Sequence, residues 1–233
     1  KAIWNSHFRL DEVNQEGVDI EELMQREVQE GALHCDSCGK TYPILEGVPR
    51  MLTEESTDNS QSGHRTTSFT GISYVWEENF LELSSPLKKG DFLGKVVLDI
   101  GCGYGRHAYF AAMYGAEVIA IDTSTDAVLS TRRNTSHLQN VHVIQADGSN
   151  LPLRDETVDR VYSYGVLHHV ENSDELLEAS NTVLKSGGSL SLWVYGPRQG
   201  LTLTVNNALR GMTTNMSHDE LLKFSRTIAR ALR

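Results

Sequence analysis

At 233 residues, with 39% hydrophobic and 22% charged residues, the chain fits one soluble α/β domain plus a short appendage. A net charge of −10 argues against gripping a phosphate backbone with the whole surface, although it leaves room for a local basic patch. No apolar run is long enough to cross a bilayer, no secretory leader is visible, and three cysteines suit a reducing compartment better than a disulfide framework, which makes cytoplasm the default expectation. A chain opening on Lys1 is also compatible with a fragment.

The sequence divides into four stretches, at 1–60, 61–94, 95–200 and 201–233. In the first, Ile20, Leu23, Met24 and Val28 recur at helical spacing among acidic residues, which predicts a short amphipathic helix over 19–30. Next comes a Cys35-x-x-Cys38-Gly39 knuckle, followed by Tyr42-Pro43-Ile44, Gly47-Val48-Pro49 and the apolar pair Met51-Leu52. This resembles half of a small zinc ribbon. Tetrahedral zinc needs four ligands, usually from two such knuckles, and no cysteine precedes Cys35. His7 and His34 are the remaining candidates, but their spacing fits poorly. The knuckle is therefore read as a metal-free remnant used in packing. Residues 53–66 are polar and aperiodic, a linker or loop. Phe69, Tyr74, Trp76 and Phe80 then crowd a short span, which reads as a lid helix packed on the core.

The informative stretch is Val96-Val97-Leu98-Asp99-Ile100-Gly101-Cys102-Gly103-Tyr104-Gly105. An apolar run ending in glycines and followed by a helix-prone segment is how an open α/β sheet builds a ligand site at the carboxyl end of its first strand. The glycines run G-x-G-x-G, without the small sixth residue of a dinucleotide fingerprint. Asp99, two residues before the first glycine, would repel a pyrophosphate and attract an ammonium or sulfonium. The stretch resembles the first motif of class I S-adenosylmethionine-dependent methyltransferases.

The α/β pattern continues regularly. Gly115 caps the first helix, Glu117–Ile121 is a second strand ending on Asp122, and a helix over 125–137 leads to a third strand over 140–146 and to Asp147-Gly148. Asp122 lies near the ~20-residue offset at which Rossmann-type folds bond a ribose diol. Three carboxylates at successive strand ends (Asp99, Asp122, Asp147) are unusual by chance. A fourth strand, Val158–Tyr164, delivers Val166-Leu167-His168-His169-Val170, and Lys185–Gly188 turns a helix over 172–184 into a fifth strand, Ser189–Tyr195.

The resemblance covers about residues 68–196 and implies a Rossmann-like, doubly wound, mostly parallel sheet with S-adenosylmethionine as cofactor. It implies a cofactor site drawn from Asp99, Gly101, Cys102, Gly103, Gly105, Asp122, Thr123, Ala146, Asp147, Gly148 and Tyr164, with Phe69, Tyr74 and Trp76 lining it. The Val-Leu-His-His-Val run closely resembles enzymes acting on small molecules and on quinone or lipid precursors. His168, after the fourth strand, is the first candidate for a general base, with Tyr164 and His169 as alternates. His107 is expected near the methionine end, and Cys102 is expected to be a packing residue.

Beyond Pro197, Ser217 and Glu220 form a capping box before the stripe Leu221, Phe224, Ile228 and Leu232, which predicts an amphipathic helix that docks on the sheet or roofs a pocket. The last two strands of the family are not evident, so the chain reads as a C-terminal truncation. Two alternatives to a small-molecule or lipid-precursor methyltransferase stay open, an rRNA or tRNA methyltransferase and a non-catalytic binding module. Oligomeric state is not legible.

Overall fold

A computed structural model of the chain describes residues 8–10, 28–53, 75–196 and 201–231. The chain divides into two compact units, residues 1–194 and 195–233. The larger holds two sheets.

The first sheet is antiparallel, with strands β1 (Phe8–Leu10), β2 (Gly31–Cys35), β3 (Thr41–Leu45) and β4 (Val48–Pro49) in sequential order. The Cys35–Gly39 knuckle is the β2–β3 turn, in which the Gly39 N–H donates to the Cys35 carbonyl at 2.8 Å. Among the described residues, no group of three or more His, Cys, Asp or Glu side chains is placed to hold a metal ion. Glu46 and Gly47, both at positive φ (52° and 72°), close the β3–β4 hairpin between paired Leu45 and Val48. Positive φ at both central residues matches the right-handed twist of the flanking strands. The helix expected over 19–30 falls mostly outside the described residues, and Val28–Glu30 are irregular.

The second sheet is parallel, and it contains the predicted core. Its strands are β5 (Val96–Ile100), β6 (Glu117–Asp122), β7 (Val141–Gln145), β8 (Val158–Tyr164) and β9 (Leu184–Trp193), in the order β7-β6-β5-β8-β9. Helices α1 (Val75–Leu83), α2 (Arg106–Met113), α3 (Thr125–Thr135) and α4 (Ser173–Val183) cover it. Strand order reverses between β5 and β8, so a crevice opens at their carboxyl ends, where open α/β sheets bind ligands. This is the doubly wound architecture expected from the sequence. The Lys185–Gly188 segment, expected as a turn, lies instead within β9. Register steps from Val158↔Leu184 to Arg160↔Ser189, so the extra residues bulge out of the ladder.

Strand alternation sorts the core into two layers. On one face, Val97, Val118, Ala120, Tyr162 and Tyr164 meet Ala108, Ala111 and Ala112 of α2 and the fully buried Phe80 of α1. Small residues on α2 let that helix lie close to the sheet. Phe80 sits 5.3 Å from Phe92, 5.6 Å from Tyr162 and 5.7 Å from His107, ring to ring. On the other face, Leu98, Ile100, Ile119, Ile121, Ile144 and Val161 pack with Leu176 and Val183 of α4 and with Met51.

Met51 belongs to the chain leaving the small sheet, and it shows how that sheet is attached. Its N–H donates to the Gln145 carbonyl at 2.7 Å, Arg50 bridges to Gln145 in parallel, and an Arg50 Nη1 donates to Gln145 Oε1 at 3.1 Å. Arg132 Nε on α3 donates to the Glu46 carbonyl at 2.8 Å. The appendage is thus stitched to the β7 edge.

The second unit contains α5 (Leu201–Thr213) and α6 (His218–Ala231). The predicted capping box is present: Glu220 N–H donates to Ser217 Oγ, and Ser217 N–H donates to Glu220 Oε2 at 2.8 Å. α5 lies in the C-terminal segment, 201–233, that the sequence reads as helical, although only the later helix is marked there by a residue pattern. No helix among the described residues is long and apolar enough to cross a membrane.

Candidate functional site

The glycine turn joins β5 to α2. Gly101 and Cys102 N–H groups both donate to the Ile121 carbonyl, at 2.8 and 2.9 Å, which ties the turn to the neighbouring strand. Gly101 must be glycine for space, because a Cβ there would lie 2.2 Å from Val166 Cγ2. Gly103 differs. Its φ is +57° and nothing lies within 4 Å of where its Cβ would be, so its main chain faces open space that a ligand can enter. Gly105 starts α2 in the left-handed conformation with no side-chain cap. From α3, Thr131 Oγ1 donates to the Gly103 carbonyl at 3.0 Å and Asn134 Nδ2 to the Tyr104 carbonyl at 2.8 Å.

Asp122, at the end of β6, uses both oxygens on this frame. Oδ2 accepts from Gly103 N–H at 3.0 Å, and Oδ1 accepts from Ser124 N–H at 2.9 Å. The α3 N-terminus is then capped by Ser124 rather than by Asp122. Burial raises the Asp122 pKa, while the Ser124, Gly103 and Thr123 N–H groups favour the carboxylate. Thr123 offers its carbonyl to Gln145 Nε2 at 2.7 Å, and Ala146 N–H donates to the Asp122 carbonyl, which brings the β6 and β7 ends together. Beyond β7, Asp147 Oδ1 accepts from Ser149 N–H at 2.9 Å in an Asx turn, and Gly148 fits between Ile100 and Leu176. Asp122, Thr123, Ala146, Asp147 and Gly148 therefore share one rim with the glycine turn.

Three expectations need revision. Asp99 is not an anionic strand-end group. It lies inside β5, opposite Ala120 and Tyr162, and is 1% exposed. Burial pushes its pKa up to about 8, with Asp122 adding to the effect, against the Tyr162 hydroxyl, the Ala108 N–H and Arg106. It is mainly a neutral acid at pH 7. Tyr164 does not line the crevice either. Strand alternation puts it on the same face as Tyr162, rings stacked at 5.1 Å, and its hydroxyl is bonded to Ser84 (3.0 Å) and Ser191 (3.1 Å). His107 is buried in the same aromatic layer, 5.2 Å from Tyr164, and burial pushes its pKa down to about 3.

The remaining candidates are placed as follows. Cys102 is buried beside Thr131, and burial raises its thiol well above the usual range, which suits a packing role. Trp76 of α1 packs on Tyr104 of the glycine turn with ring centroids 5.4 Å apart. Phe69 and Tyr74 lie outside the described residues. His168 and His169 are exposed on a 3₁₀ turn (Leu167–His169) after β8, their rings 4.1 Å apart. Val166, which leads into that turn, presses on Gly101, so the histidines sit beside the cofactor rim. Sequence reasoning missed Gln145, which links the β7 edge to Thr123 and to Arg50. A polar side chain closing an apolar strand was the available clue.

Residues 98–192 match the family model described as a methyltransferase domain. That stretch, from β5 to β9, resembles a methyltransferase domain. Three curated relatives show the range of similarity. A probable S-adenosylmethionine-dependent methyltransferase of Saccharomyces cerevisiae is 31% identical over 43% of this chain and 36% of its own length. A ubiquinone/menaquinone biosynthesis C-methyltransferase of Teredinibacter turnerae is 35% identical over 57% of this chain and 54% of its own. A tRNA U34 carboxymethyltransferase of Pseudoalteromonas translucida is 30% identical over 66% of this chain and 47% of its own. The chain spans about a third to a half of the length of these relatives. Residues 96–193 form the doubly wound parallel sheet expected of the class I methyltransferase fold, and the yeast relative is described as S-adenosylmethionine-dependent. The open cradle at Gly103 and the carboxylate fixed beside it suit such a ligand.

Proposed function

We propose that the chain is an S-adenosylmethionine-dependent methyltransferase acting on a small-molecule or lipid-like acceptor. The observation that carries this reading is the Asp122 carboxylate held against Gly103 N–H at the mouth of the strand-order switch, with main chain open to a ligand beside it. When bound, S-adenosylmethionine supplies an electrophilic methyl group on a sulfonium. Asp122 would hold the ribose hydroxyls through charge-assisted bonds, each worth about 1.5–3 kcal/mol. Asp147 and the Ala146–Gly148 main chain would hold the adenine edge, and Gly101–Gly105 the amino-acid end. Trp76 on Tyr104 would shield the turn from water.

The chain's own catalytic contribution is then alignment, which supplies roughly 7–11 kcal/mol in favourable cases. His168, exposed at the acceptor side of the rim, would take a proton from a hydroxyl or ring-nitrogen acceptor. General bases of this kind typically contribute about 10²–10⁴-fold. Incubating the protein with isotope-labelled methyl donor and a cell extract, followed by mass spectrometry, tests the proposal. A labelled small molecule or lipid is expected, and label confined to RNA would replace the acceptor class. That second reading rests on the tRNA-directed relative, and the net charge of −10 opposes it.

A further inference from the structure

Beneath the glycine turn lies a cluster of polar groups that the proposed chemistry does not use. Asp99 Oδ2, Tyr162 Oη and His107 Nε2 are all buried; the Tyr162 hydroxyl reaches toward Asp99 without forming a well-aligned hydrogen bond, and His107 Nε2 has no partner. Polar groups so poorly satisfied in one buried layer are costly. They come from β5, β8 and α2, the elements that converge on the turn. Tyr162 is opposite Asp99 in the strand register, and its ring lies edge-on to His107 at 6.3 Å.

The groups facing Asp99 can be named from each packed element. β8 presents the Tyr162 hydroxyl and, behind it, the bonded Tyr164; β6 presents Asp122; α2 presents the Ala108 N–H and Arg106; and the turn presents Cys102. Arg106 is the cation among them, and no ion pair to Asp99 is formed among the described residues. Burial holds His107 and Tyr162 neutral. The layer under the turn thus holds a buried carboxyl, two residues before Gly101, that is in no ion pair among the described residues.

We propose that Asp99 releases its proton to solvent when a cationic ligand occupies the glycine turn, so that cofactor binding and deprotonation of this carboxyl are one linked event. The inference rests on the cofactor reading above and deepens it. A ligand bearing an ammonium and a sulfonium adds positive charge beside this unpaired carboxyl, and Coulomb attraction in a water-poor site favours the ionised carboxylate. No bond to carbon changes: the carboxyl O–H breaks, its proton passes to buffer, and the electron pair stays on the oxygen.

The linkage is measured by isothermal titration of S-adenosylmethionine at pH 7 in buffers of different ionisation enthalpy, on the intact chain and on Asp99→Asn. The ligand's own amino group, with a pKa of about 8, is already about nine-tenths protonated at pH 7, so its uptake of at most about 0.1 proton is small beside the release expected from Asp99. Wild type is expected to release about one proton more than the variant, and its affinity is expected to rise up to about tenfold per pH unit between pH 6 and 8 relative to the variant. Equal proton counts with both proteins binding would overturn the linkage and leave the cofactor reading standing. Absence of binding to wild type would remove that reading and the linkage with it. Should Asp99→Asn lose binding, infrared difference spectra of wild type decide: loss of the protonated-carboxyl band on ligand addition supports the linkage, and an unchanged band refutes it.

Discussion

The two rims of the crevice are built differently. On the β5–β6–β7 side, nearly every polar group is tied down before any ligand arrives. Asp122 holds Gly103 and Ser124, Thr131 holds the Gly103 carbonyl, and Gln145 holds Thr123. On the β8–β9 side, His168 and His169 are exposed, and Leu192, Trp193 and Val194 present apolar surface to water. The contrast teaches that, on the proposed reading, the rim that would hold the cofactor is ordered by the fold, whereas the rim that would face the acceptor is left open to be shaped by what binds there.

That contrast can be broken at its foundation. Phe80→Ala removes the ring shared by α1, α2 and β8, and should cost about 3–5 kcal/mol in chemical denaturation, enough to blur both rims together. Attacking one rim should be selective. His168→Ala is expected to lower turnover by about 10²–10⁴-fold with cofactor affinity unchanged, as read by single-turnover kinetics beside calorimetry. Unaltered turnover would make His168 a wall residue. Asp122→Ala should act in the opposite sense, weakening S-adenosylmethionine and its demethylated product alike by about 10²-fold, the loss of roughly one to two charge-assisted bonds. Unchanged affinity would remove Asp122 from the site.

A smaller effect concerns pH. Asp99 has a folded pKa near 8, above its unfolded value, so its contribution to stability is complete below pH 4 and is lost as pH rises toward 8. His107 runs the other way: with a folded pKa near 3, it costs stability as pH falls below about 6.5. Thermal melts should therefore show Asp99→Asn gaining on wild type from pH 5 to 8. A constant difference across that range would mean that Asp99 is already ionised in the free protein.

The sequence was most legible where local pattern and tertiary role agree. The apolar runs of β5 to β8 are buried on both faces, so they read as strands, and Asp122 follows its strand at the offset the site requires. Legibility failed where the deciding partner is far along the chain. Asp99 is pushed toward its neutral form by burial among elements distant in sequence, and nothing near residue 99 encodes that. Tyr164 turned away from the crevice because Ser84 and Ser191 take its hydroxyl. The docking of the appendage depends on Gln145, 95 residues beyond Arg50. Within the segment read as helical, α5 was not singled out because Leu201–Thr213 mixes threonines, asparagines and a glycine into an apolar repeat, which weakens its helical pattern.

Thr131 and Arg132 are neighbours on α3, and they face different tasks. The first grips the carbonyl of Gly103, and the second grips the hairpin tip at Glu46. One short helix therefore anchors both a small outlying sheet and the glycine turn, a physical link that bypasses the parallel strands.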